Sequence, residues 1–246
     1  MAAGLLCCEI RKAEEGGEKV SQQRHVRVTA WLSSPLAGDP PMLDALLEDL
    51  MARHHGQLLR IDRGQPAPQP GSIHLPMLRG SIGGVDMIPR CSSPIVPTIK
   101  LRHEHYAKRI GVENADMLRE DSRLVVAVGN SWTKSYRLPL AVRDVDRVVW
   151  FCGGSKRDTL YSLLRRVTAI GKKRSQGYGR VARWQVEWTP HDYSWFAPGA
   201  GGNVLMRPLP ACNDLPSDLQ GYRPDFGACI GPYWHPERFR EVVVPC

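Results

Sequence analysis

Apolar and polar residues alternate through HVRVTAWL: Val26, Val28, Ala30 and Leu32 against Arg27, Thr29 and Trp31. A period of two predicts a strand with one buried face. The loop SSPLAGDPP follows. Asp39 suits a helix N-cap, with Pro40 and Pro41 tolerated in the first turn. Leu43, Leu46, Leu47, Leu50 and Met51 then fall at helical spacing, and Gly56 suits a stop just after His55. A second amphipathic helix is predicted after Gly154. Ser155 to Asp158 has the S-x-x-D form of a helix start. Leu160, Leu163, Leu164, Val167 and Ile170 repeat at helical intervals, with Gly171 as the stop. Beyond a glycine loop, VARWQVEW alternates again, placing Ala182, Trp184, Val186 and Trp188 on one face and Arg183, Gln185 and Glu187 on the other.

The remainder is less periodic. Residues 1–23 read as a flexible polar tail. RGQPAPQPGS is a turn-rich connector, and the proline- and glycine-rich middle predicts short strands and a projecting hairpin. RLVVAV (Arg123–Val128) and RVVWF (Arg147–Phe151) read as short buried strands. The order of elements is that of an α+β, ferredoxin-like (RRM-like, βαββαβ) unit. It spans residues 24–190, with an insertion at about 71–138 and an irregular, wrapping extension over 191–246.

The 246 residues carry a formal charge of +8. Nine basic residues lie between Lys156 and Arg183 against one acid, Asp158, so this segment accounts for the whole excess. Such a localised patch is the footprint of a polyanion binder, or a solvated basic face. The seven cysteines are scattered without a CxxC, which argues against a zinc site or a disulfide framework and for a reducing cytoplasm. The N-terminal run turns charged too soon for a signal peptide, and no apolar stretch approaches the roughly 18 residues of a membrane span. No metal or cofactor is expected.

Four of the nine basic residues surround the glycines of IGKKRSQGYGRV, Ile170 to Val181. GYGRVA matches G-x-G-x-x-A, but a dinucleotide loop follows a strand and opens a helix, whereas these glycines follow a helix and open a strand. The expected neighbour is then a helix C-terminus, the wrong pole for phosphate. QGYGRVAR shares Gly177, Tyr178, Gly179 and Val181 with the aromatic motif of RNA-recognition modules. Arg180 and Arg183 stand where that motif has its outer aromatics. Two readings stay open. In one, the glycines bring RNA phosphates to main-chain N–H groups, Lys172, Lys173, Arg174 and Arg180 supply charge, Ser175 and Gln176 donate hydrogen bonds, and Tyr178 stacks a base. In the other, this is an ordinary turn with charged flanks.

A basic helix carrying Arg165 and Arg166, followed by Gly171-Lys-Lys-Arg-Ser-Gln-Gly177-Tyr-Gly179, resembles the signature loop of the RAMP superfamily of CRISPR proteins. The block Val26 to Met51, with its strand, PL turn, proline-rich loop and LDALL helix, is similar to the opening of the group-five RAMP subunit of type IV systems. The resemblance covers about a third of the chain. It implies ferredoxin-like architecture with a thumb-like hairpin. It also implies a non-catalytic subunit that caps the 5′ handle of the CRISPR RNA beside backbone-forming RAMP subunits and a large subunit, meeting target DNA only indirectly. GNSWTKSYRL, with Trp132, Lys134, Tyr136 and Arg137, is a further candidate for RNA or neighbour contact. Some relatives cut precursor CRISPR RNA, so RHEHYAKR, with His103, His105, Tyr106 and Lys108, and also His25, are the candidates for metal-independent acid–base cleavage.

Overall fold

The computed structural model describes residues 25–55, 73–108 and 136–246. The tail, Gly56, the RGQPAPQPGS connector, the strand expected at Arg123–Val128, Trp132 and Lys134 lie outside the described residues. The elements run β1 (His25–Leu32), β2 (Leu36–Ala37), α1 (Leu43–His55), β3 (Arg79–Ile82), β4 (Val85–Pro89), β5 (Lys100–Lys108), β6 (Tyr136–Asp144) and β7 (Arg147–Cys152). They continue with α2 (Arg157–Leu164), β8 (Val181–Thr189), β9 (Phe196–Pro198), β10 (Asn203–Leu205), β11 (Leu209–Pro210), β12 (Tyr222–Ala228) and β13 (Phe239–Pro245). The fold is α+β, and its strand ladders are antiparallel.

The two alternating segments and the RVVWF strand lie in one sheet. β1 is central, flanked by β7 and β8. Val28 sits opposite Trp150 and Val186, and Ala30 opposite Val148 and Trp184, so the apolar sets share one face. There they pack with Leu43, Leu46, Leu47 and Met51 of α1 and Leu160, Leu163 and Leu164 of α2. Burying each such aliphatic side chain is worth about 1.5–3 kcal/mol. Trp150 and Trp184 stack with centroids 6.0 Å apart. Their indole N–H groups donate to the carbonyls of Pro41 (3.3 Å) and Val167 (2.9 Å), so neither polar atom is stranded. On the far edge of β7, isolated antiparallel bridges at Cys91–Cys152 and Ile95–Val149 bring the 91–95 segment alongside.

Helix boundaries differ from the sequence expectation. α1 begins at Leu43 with Asp44 in its first turn. Asp39 is not its cap; that carboxylate pairs with Arg143 at 2.8 Å. α2 starts at Arg157, and Ser155 does not cap it: its hydroxyl donates back to the Gly153 carbonyl. Its C-terminus is at Leu164, so Gly171 is not its stop. Val167 and Thr168 are β-branched and favour extended backbone. From there the chain runs back along β8, with Val181 N–H donating to Thr168 O (2.9 Å) and Ile170 N–H to Gly179 O (2.9 Å). Val167 and Ile170 stay in the core by this different route.

β5 pairs antiparallel with β6 over nine positions, from Lys100–Asp144 to Lys108–Tyr136, and β2 pairs with the other edge of β6. The C-terminal stretch departs from the expected irregular wrapping. β11, β13 and β12 form a sheet, and Trp195, Leu205, Leu209, Cys229, Val242 and Val243 join Val85 and Ile88 in a second hydrophobic cluster. Strands of two or three residues, such as β9 and β11, are too short to show a period.

A buried ionic group ties the two clusters. Arg207 is fully buried and donates to the carbonyls of Pro89 (2.6 Å), Cys91 (2.8 Å) and Cys229 (2.8 Å) and to the Tyr233 hydroxyl (2.8 Å). Its charge lies 3.5 Å from the Asp44 carboxylate on α1, which also accepts the Tyr233 hydroxyl at 2.5 Å. Burial opposes the Arg207 charge, but Tyr233 and Asp44 outweigh it and hold the guanidinium protonated.

Candidate nucleic-acid interface

The glycine loop is a tight excursion between two chain segments already held to each other. Lys172 N–H donates to Ala37 O (2.8 Å), Gly179 N–H to Pro35 O (2.8 Å), and Arg180 N–H to the Ser34 hydroxyl (2.8 Å). Between these ties lies a single 3-10 turn, Arg174–Gln176. Gly179 has φ +63°, and a Cβ there would overlap the Ile170 carbonyl oxygen; only glycine permits the approach. Gly177 has φ +92° and open space around it, so only its backbone conformation selects glycine.

This geometry revises the expected phosphate grip. The N–H groups of Gly177 and Gly179 are committed, to Arg174 O and Pro35 O, so they do not offer themselves to a ligand. The loop does not follow directly on a helix C-terminus either, because α2 ends at Leu164, six residues before Ile170. The glycines shape the loop, and its chemistry lies in the side chains.

Those side chains are exposed at Lys172, Arg174, Ser175, Gln176 and Arg180, half-buried at Lys173 and Tyr178, and exposed at Arg165 and Arg166 after α2. The aliphatic stem of Lys172 lies over Gly38. None of the nine cations from Lys156 to Arg183 forms an ion pair among the described residues. The arginines elsewhere commonly do: Arg27 with Glu187, Arg90 with Asp192, Arg143 with Asp39 and Arg207 with Asp44. Like charges that are not paired within the chain repel one another and lower their energy by taking up an anion.

The loop rests on the hairpin. Lys173 places its Nζ 3.4 Å from the centroid of the Tyr106 ring, a cation–π contact made from a left-handed backbone at φ +56°. The Tyr178 hydroxyl donates to Glu104, which raises the Tyr178 pKa, with lesser help from burial. Tyr178 is therefore anchored rather than free. Glu104 also takes Arg102 at 3.1 Å. The two motifs singled out in the sequence, RHEHYAKR and the glycine loop, thus meet through Glu104 and Tyr106. Nothing in local spacing signals this, since the partners stand about 70 residues apart.

His103 and His105 alternate with Glu104 and Tyr106 along β5, so they project to the opposite, exposed face of the hairpin. His25 lies 3.9 Å from Asp192 at the start of β1. Among the described residues no group of three or more His, Cys, Asp or Glu is placed to hold a metal, and no helix is long and apolar enough to cross a membrane.

Residues 101–245 match the family model described as CRISPR type IV associated protein Csf3. The match runs from β5 through β13, takes in the whole glycine loop and covers more than half of the chain, which therefore belongs to this family. No curated protein matches the chain.

Proposed function

We propose that this chain is a non-catalytic, RNA-binding subunit of a type IV CRISPR ribonucleoprotein, capping the 5′ handle of the CRISPR RNA in the cytoplasm. The observation that carries the reading is that Lys172, Lys173, Arg174 and Arg180 sit on one hydrogen-bonded loop with no ion pair among the described residues, in a chain of a CRISPR-associated family. Lys172, Arg174 and Arg180 are the exposed charges for phosphate, with Ser175 and Gln176 as neutral donors and Arg165 and Arg166 extending the track. Arginine brings a bidentate fork that suits phosphate, and each neutralised phosphate releases counterions. The contacts of Lys173 with Tyr106 and of Tyr178 with Glu104 hold the loop before RNA arrives, which reduces the ordering cost of binding.

We read the β7–β1–β8 sheet, covered by α1 and α2, as a ferredoxin-like unit of the RAMP kind. In support, β7 and β8 run parallel to each other on either side of an antiparallel β1, joined through α2, and the 91–95 segment occupies the fourth-strand position. The β5–β6 hairpin is the thumb. Backbone-forming and large subunits of the same complex are the protein partners, and target DNA is met only through the complex. The non-catalytic reading rests on His103 and His105 facing away from the cations that would stabilise a phosphorane.

Charge reversal at Lys172, Lys173 and Arg174 is predicted to abolish co-purification of CRISPR RNA while the fold, followed by circular dichroism, is retained. Undiminished RNA recovery would sink the assignment. Cleavage of repeat RNA in EDTA by the purified chain, lost in His103→Ala or His105→Ala, would replace it with the endoribonuclease.

A further inference from the structure

The polar face of the central sheet carries a second feature. Trp31 of β1 stands directly between Arg147 of β7 and Arg183 of β8. The two guanidinium carbons lie 5.4 and 5.0 Å from its ring centroid. The indole N–H donates to the Gln185 amide oxygen at 2.8 Å, which fixes the ring in the sheet plane's row of side chains. The face is electrically lopsided. At its other end Arg27 is neutralised by Glu187 and Arg90 by Asp192. At the Trp31 end, Arg147 has only the exposed Asp146, at 3.2 Å, and Arg183 has no ion pair among the described residues. Two cations converge on one aromatic ring with one weak counter-charge between them.

The row is also continuous with the glycine loop. Arg180, the loop's last cation, accepts Ser33 N–H at its carbonyl (2.9 Å) and donates its own N–H to Ser34, and these serines follow Leu32 at the end of β1. Arg183 lies three residues further along the chain. The loop's last cation and the row are thus neighbours at the start of β8 and at the end of β1.

We propose that the Arg147–Trp31–Arg183 row is a second contact for single-stranded nucleic acid, stacking an unpaired base and holding its flanking phosphate. The inference rests on the RNA-binding reading above. An indole flanked by two guanidinium groups offers an aromatic surface for an unpaired base with cations beside it for the flanking phosphate. An acidic peptide would use the charges but gain little from the ring, which makes the ring the discriminating residue.

The test uses the full-length chain, a fluorescein-labelled single-stranded oligouridylate, and anisotropy titrations over a range of salt. Trp31→Ala is expected to weaken binding by about 5- to 150-fold with the salt slope unchanged, because the lost contact is stacking. Trp31→Phe keeps a ring and retains most of the affinity. Arg183→Gln reduces the slope of log K against log salt by about 0.7, the share of one phosphate on a single strand. Should Trp31→Ala fail to fold, the exposed Arg183 carries the test. Unchanged affinity in both variants, while the charge-reversed loop loses RNA, overturns this proposal and leaves the loop assignment standing. Loss of affinity in these variants with the charge-reversed loop still binding supports the row and removes the loop assignment. RNA affinity retained by Trp31→Ala alongside loss of a co-purifying protein subunit overturns the proposal in favour of a protein contact.

Discussion

The ammonium of Lys173 sits 3.4 Å above the ring of Tyr106, joining the glycine loop to a hairpin strand far away in sequence. β5 thus adds a side-chain support to a loop whose ends are held by backbone hydrogen bonds to residues 34–37. Tyr106→Ala removes the platform. Lys173 keeps its charge, so RNA binding persists but weakens several-fold, and amide exchange at residues 172–178 accelerates. Hydrogen exchange followed by mass spectrometry reads this directly; protection unchanged from the parent protein would show that the loop holds itself.

The two glycines flanking Tyr178 respond differently to alanine. At Gly179 the added methyl overlaps the Ile170 carbonyl, so Gly179→Ala must break the Ile170–Gly179 hydrogen bond and displace the loop. At Gly177 the space is open and the cost is that of a left-handed alanine, about 1–2 kcal/mol. Urea unfolding is predicted to give a larger loss for Gly179→Ala than for Gly177→Ala.

Arg207 is the stability counterpart of the loop. Arg207→Met leaves Asp44 buried without its cation and is predicted to cost about 3–5 kcal/mol. Adding Asp44→Asn to that variant removes the uncompensated charge and recovers part of the loss, which a double-mutant cycle in urea measures.

Two carboxylates pull the pH profile in opposite directions. Asp192 is opposed by burial, but Ser194 and Arg90 outweigh this and hold its pKa below the usual value. Its contribution is present above the unfolded pKa and is lost as pH falls through the lower folded one. Glu48 is raised, first by burial and then by Asp44. Its contribution is complete below the unfolded pKa and fades as pH rises through the raised one. Glu48→Gln is predicted to flatten the decline on the alkaline side of that window, and Asp192→Asn the decline on the acid side, in thermal melts from about pH 3 to 7.

How far the chain itself displays this structure depends on the residues involved. Val26, Val28, Ala30, Trp184 and Val186 mark their strands because each strand is long and one of its faces is buried. Leu160 to Ile170 mislead, since Val167 and Ile170 keep helical spacing after the helix has ended. The same core takes them from extended chain. In the second cluster, Leu205 and Leu209 sit on strands of only two or three residues, too short to show a period. In the loop, the cations were legible from composition. The commitment of the Gly177 and Gly179 N–H groups was not, nor was the support from Glu104 and Tyr106, because those partners are fixed by tertiary packing.

The central claim is that the glycine loop holds the 5′ handle of a guide RNA. The most direct measurement is ultraviolet cross-linking of the assembled type IV complex, with adducts located by mass spectrometry. Adducts joining 5′-handle nucleotides to the peptide spanning residues 172–180 are predicted. Handle nucleotides cross-linked only to other subunits, with the complex intact, would contradict it.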